Sequence, residues 1–231
     1  MTEQTFQLLE SYMLSQMTDS AHDKDHIYRV LYNAMLIAQN EADVASDVLI
    51  TACLLHDVGR QEQFADPTLC HAVVGAQKAY DFLTSNGFDE DFSCHVRDCI
   101  RTHRFRKSSP PQTIEAKILF DADKLDVVGA MGIARTLLYK GNVTEPLYNL
   151  NPDGTVANGE NDDRPSFFHE YKFKLEKLYD RFFTEEGARL ARQRQSAAIA
   201  YYESLYREIS QGTEEGRRIL SGLLEEVKNC K

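Results

Sequence analysis

Residues 50–59, ITACLLHDVG, place two ionisable side chains, His56 and Asp57, at the end of an apolar run made by Ile50, Ala52, Cys53, Leu54 and Leu55, with Val58 behind them. A helix with no polar face is buried all round. A charge in such a place costs several kcal/mol unless it is paired or bound to a metal, so something must compensate this pair. Adjacent helical residues point about 100° apart, and both reach one ion only if it lies between their directions, with other helices completing its ligands. For a bare His-Asp dipeptide, a satisfied core histidine beside an exposed aspartate is the commoner case.

Working outward, two further clusters bear on that choice. AHDKDHIYRV (21–30) sets His22, Asp23, Asp25 and His26 against the start of an amphipathic helix, with Asp23 and His26 three apart on one face, so that Asp23 is placed to orient the His26 imidazole. ILFDADKLDVVGAMGIA (118–134) inserts Asp121, Asp123, Lys124 and Asp126 into a segment otherwise as apolar as a core helix. Acids there need partners; a capping acid followed by solvated charges is the plainer account. Gly129 and Gly132 lack the preceding strand that a phosphate loop requires and read as close helix packing.

The remaining sequence supports an all-α chain. Apolar residues recur at helical spacing, as in Ile27, Val30, Leu31, Ala34, Met35 and Ala38, and no stretch alternates as a strand would. The spacing predicts about nine or ten helices in a single domain over 1–231. Asn86-Gly87, Pro110-Pro111 and Gly141 mark helix ends. The Asn-, Asp-, Gly- and Pro-rich segment 141–165 reads as a long loop, either a lid or disordered, ahead of amphipathic C-terminal helices over 166–229.

The chain has 231 residues, 42% of them apolar and 27% charged, which is ample for a hydrophobic core. Its 36 acidic and 26 basic residues leave a net charge of −10, which argues against a nucleic-acid polymer or an anionic membrane surface as partner. No apolar run approaches the roughly 18 residues of a membrane span, and the N-terminus lacks a basic segment before an apolar stretch. Five cysteines with no C-x-x-C pair suit a reducing compartment, so a cytoplasmic location is expected.

The order His, His-Asp, Asp resembles the signature of the HD-domain superfamily of metal-dependent phosphohydrolases, and an HD-type helical bundle is the fold this implies. HDKDHIYRVLYNA, LLHDVGR, HAVVGAQKA, IRTHR and DADKLDVVGAMGIART are similar to segments of small single-domain bacterial HD hydrolases, and FFHEYKFKLEKL and TEEGARLARQR resemble their closing helices. The resemblance puts the core motifs between about residues 20 and 140 and assigns the metal ligands as His26, His56, Asp57 and Asp123. Two imidazoles with two carboxylates suit one divalent ion, Mn, Fe, Co, Ni, Zn or Mg, and leave coordination positions for a water and a phosphate oxygen. A closed structural zinc site is disfavoured by the lack of cysteine ligands.

By the same resemblance, His71 and His103 match positions that hold a second ion in two-metal members or face the phosphate in one-metal members; phosphate contact is the expectation, with His95 and Glu62 keeping a second metal open. Arg60 and Lys124, beside ligands, are expected to bind substrate; Arg106 and Lys107 suit a helix C-terminus, and Arg29 suits a structural ion pair. Asp57, Glu62 and Asp126 are the candidate proton acceptors. The implied reaction is hydrolysis of a small phosphorylated compound, a nucleotide first of all, with a nucleoside triphosphate cut to monophosphate and pyrophosphate as one form. The alternative is a non-catalytic nucleotide sensor that keeps the metal pocket. Sequence leaves oligomeric state open.

Overall fold

The apolar helix α3 (Ser46–Leu55) is enclosed by its neighbours in a computed structural model that describes residues 1–17, 24–104 and 110–229. Val48, Leu49, Ala52, Cys53, Leu54 and Leu55 are all buried. Contacts to α1 (Glu3–Ser15), α2 (Lys24–Ala38), α5 (His71–Ser85), α6 (Glu90–Thr102) and α7 (Ile114–Leu125) explain why no face of α3 is polar. A short helix, α4 (Arg60–Ala65), packs on α5. Then follow α8 (Gly129–Asn142), α9 (Phe167–Phe173), a 3-10 turn at Leu175–Lys177 and α10 (Glu185–Asn229). Among the described residues the fold is all-α, as expected, and the one β-bridge pairs Leu150 with Val156.

The chain forms two compact units, the first comprising Met1–Asp126 with Arg181–Ala191 and the second Val127–Asp180 with the chain from Arg192 onward. Within the first, side-chain caps fix the helix starts: Thr2 accepts from the Thr5 N–H, Asp89 from Asp91 and Phe92, and Thr113 from Ala116. The end of α5 is a Schellman turn, with Gly87 at φ +79° and the Phe88 N–H donating to the Leu83 carbonyl. Gly141, expected to close its helix, lies inside α8, which continues to Asn142.

One close approach positions the site. A methyl group built on Gly59 would lie 2.4 Å from the Gly75 nitrogen and 2.4 Å from the His71 carbonyl oxygen. The turn after His56-Asp57 therefore crosses the first turns of α5 backbone to backbone, which sets His71 beside Asp57.

In the second unit, residues after Asn142 form a hydrogen-bonded loop. Asn149 Nδ2 donates to Asp162, Arg164 Nη2 donates to the Leu150 carbonyl, and Val156 and Ala157 are buried. The sequence 166–183 reads as continuous helix, yet α9 ends at Phe173. Past Asp180 the competing partner is Asp121, which accepts from the Phe183 and Thr184 N–H groups and from the Thr184 hydroxyl. Thr184 Oγ1 in turn accepts the Gly187 N–H and starts α10.

Candidate metal centre

Four histidines converge on one carboxylate, and each is delivered by a different helix. His26 lies in the first turn of α2, His56 caps the C-terminus of α3, His71 opens α5 and His103 caps the C-terminus of α6. In each ring Nδ1 already has an acceptor: Asp126 Oδ2 at 2.7 Å for His26, the Cys53 carbonyl at 2.8 Å for His56, Gln63 Oε1 at 2.8 Å for His71 and the Ile100 carbonyl at 2.6 Å for His103. A carbonyl or carboxylate acceptor at Nδ1 places the proton there in His26, His56 and His103 and leaves a lone pair on Nε2, whereas His71 Nδ1 also meets a donor, Arg104 Nη1, at 3.2 Å.

All four Nε2 atoms face Asp57. Its Oδ2 is 3.6 Å from His26 and 3.7 Å from His56, while Oδ1 is 3.5 Å from His71 and 3.7 Å from His103. Asp123 Oδ1 lies 3.6 Å from His26 Nε2. Two ligand groups result, His26 with His56 and Asp123, and Asp57 with His71 and His103, each with donor atoms within 4.8 Å of one another. Buried acceptors thus face buried acceptors: His56 Nε2, Asp57 Oδ2 and His71 Nε2 have no hydrogen-bond partner among the described residues. Those three atoms lack a donor, and a cation supplies the missing partner.

The electrostatics keep His56 and His71 neutral and the carboxylates of Asp57 and Asp123 charged. Burial holds His56 down to about 4, and burial with the Arg60 guanidinium holds His71 down to about 2. Burial by itself would raise Asp57, but His56 and Arg60 hold it well below the usual carboxylate range. Asp123 is likewise depressed against its burial, chiefly by Lys124. Arg60 Nε donates to Asp57 Oδ1 at 2.9 Å, and Lys124 Nζ to Asp123 Oδ2 at 3.2 Å.

Of the residues singled out in the sequence, His26, His56, Asp57, Asp123, His71, His103, Arg60 and Lys124 are brought together. Glu62 is not in either ligand group; it pairs with Lys78 Nζ at 2.6 Å. His95 faces Glu115 at 3.1 Å, a buried acid that also accepts the Ala45 N–H. Asp126 sits behind His26, where Arg29 grips it through Nε at 2.7 Å and Nη2 at 3.1 Å. That is the ion pair expected of Arg29. Asp23, expected to orient His26, lies outside the described residues, as do His22, Arg106 and Lys107; Asp126 is an acceptor seen at the His26 Nδ1. Gln63, which holds His71, carried no distinguishing signal beyond its place one helical turn after Gly59.

The family model for the HD domain matches residues 24–128, the stretch from α2 to just past α7. The chain belongs to the HD-domain superfamily of metal-dependent phosphohydrolases. It is 30% identical over 209 residues to the uncharacterized protein YpgQ of Bacillus subtilis (strain 168), covering 87% of this chain and 92% of YpgQ. The crystal structure of YpgQ in complex with ADP matches with a TM-score of 0.68 at 27% identity, over 88% of this chain and 97% of that one. An HD-superfamily hydrolase from Bacillus thuringiensis matches with a TM-score of 0.65 at 29% identity, over 89% and 95% of the two chains.

Proposed function

We propose that this chain hydrolyses a phosphate ester or anhydride bond in a small nucleotide at the Asp57 cluster, with one divalent ion held by His26, His56, Asp57 and Asp123. The observation that carries this reading is the convergence of four imidazole Nε2 atoms on the two oxygens of one buried carboxylate. Neutral imidazoles and two carboxylates match a divalent cation in charge and donor type. When bound there, such an ion supplies Lewis-acid polarisation of a phosphoryl oxygen and lowers the pKa of a water.

The chain's own groups divide the remaining work. Arg60 and Lys124 donate charge-assisted hydrogen bonds to phosphoryl oxygens. His71 and His103 face the same Asp57 oxygen as Arg60 and would line the phosphate side of the cluster. Among the three candidate proton acceptors, Asp57 presents a partnerless oxygen inside the cluster, whereas Glu62 is taken by Lys78 and Asp126 by His26 and Arg29. The ADP bound to YpgQ supports a nucleotide ligand. A second reading, two ions, is favoured by the second ligand group, Asp57 with His71 and His103.

Chromatographic analysis of a mixed pool of nucleoside mono-, di- and triphosphates and cyclic nucleotides, incubated with Mn-loaded protein, tests the proposal. Pyrophosphate with monophosphates, absent with Asp57→Ala, establishes triphosphate cleavage. An unchanged pool with retained nucleotide binding would instead make the protein a nucleotide sensor.

A further inference from the structure

We propose that Arg60 stands in for a second metal ion and thereby limits the centre to one. The inference rests on the metal reading of the Asp57 cluster given above. The two ligand groups look alike by donor type, but their cations sit differently. In the first group Lys124 binds Asp123 through Oδ2, the oxygen other than the one 3.6 Å from His26, so Asp123 Oδ1 and Asp57 Oδ2 both stay turned toward the imidazoles. In the second group Arg60 Nε donates to Asp57 Oδ1 at 2.9 Å, the very oxygen that faces His71 and His103.

The guanidinium is also held in place. Arg60 Nη1 reaches Gln63 Oε1 at 3.4 Å, and the same oxygen lies 2.8 Å from His71 Nδ1, so the residue beside His71 also steadies Arg60. A second guanidinium follows, with Arg104 Nη1 3.2 Å from His71 Nδ1. Charge separates the groups further. The first group sets Asp123 against one ammonium and also faces Asp57 Oδ2, which accepts no hydrogen bond among the described residues, whereas the second sets Asp57 Oδ1 against two guanidiniums. A divalent ion entering the second group would have to displace Arg60 from Asp57 and then lie against two fixed positive charges. A phosphoryl group meets the reverse situation there. Arg60 thus turns what the donor atoms alone would make a second cation site into the phosphate side of a one-ion centre.

Equilibrium dialysis of chelator-stripped protein against Mn2+, with the metal counted by elemental analysis, reads this directly and needs no turnover. Wild type and Arg60→Lys, which keeps a cation, are expected to bind one ion per chain. Arg60→Met and the polar Arg60→Gln are expected to bind two, with the exchange-broadened Mn2+ resonance of a carboxylate-bridged pair. Adding His103→Ala to Arg60→Met is expected to return the count to one. Arg60 lies on the short surface helix α4 with its side chain partly exposed, so these variants retain the core. Two ions in the wild type, or one in both neutral variants, overturns the role given to Arg60 and leaves the hydrolase reading standing. No ion in the wild type overturns both.

Discussion

The proton on each histidine is set by what lies behind it, and this has a measurable consequence in the metal-free protein. Burial depresses His56 to about 4 and His71 to about 2, whereas both titrate near 6.5 in the unfolded chain. Between pH 6.5 and 4 the unfolded state therefore binds more protons than the native state, and stability rises with pH. Thermal melts of chelator-stripped protein should show the melting temperature falling as pH drops through that window, with a shallower slope in His71→Gln; equal slopes would contradict the assignment. Asp126 acts one step further out. Removing it in Asp126→Ala frees the His26 ring and leaves Arg29 without this acid, so Mn2+ affinity should fall by about 10- to 100-fold in calorimetric titration. At this scale the sequence was legible where charge interrupts an apolar pattern, at His56-Asp57 and Asp123. It was not legible for the partner of His26, because Asp126 stands 100 residues away and only the α2–α7 packing brings the two together.

Among the elements, α3, α4 and α5 form the part of the fold that cannot shift without disturbing the chemistry. Gly59 meets α5 with no room for a side chain. Gly59→Ala must push the His56-Asp57 turn away from His71, and overpacking of this kind costs about 1–3 kcal/mol. A drop in melting temperature together with weaker Mn2+ binding is expected; unchanged values for both would mean that the crossing is looser than described. Helix existence could be read from spacing because burial repeats with the helical period, and the apolar α3 announced its own enclosure. The Gly59–Gly75 crossing left no such trace, since neither glycine needs a positive φ and what excludes a side chain at each is backbone from a distant turn. The late start of α10 was hidden for a related reason: the backbone of Phe183 and Thr184 is claimed by Asp121, about sixty residues earlier.

For the whole molecule, a net charge of −10 surrounds a centre where both signs are held at short range, so the proposed phosphate recognition would rest on Arg60, Lys124 and an ion rather than on the overall field. No described helix is long and apolar enough to cross a membrane. A native state that binds a cation and an unfolded state that does not are linked by mass action. Mn2+ at about 100 times its dissociation constant should stabilise the stripped protein by about 2.7 kcal/mol, read as a raised melting temperature that Asp57→Ala fails to show. The central claim is metal-dependent hydrolysis at Asp57, and the most direct measurement follows turnover of the nucleotide pool by one preparation before chelation, after chelation and after Mn2+ is restored, with Asp57→Ala alongside. The account predicts loss on chelation, recovery with Mn2+ and no turnover in the variant. Hydrolysis that survives chelation, or that Asp57→Ala performs at the wild-type rate, would contradict it.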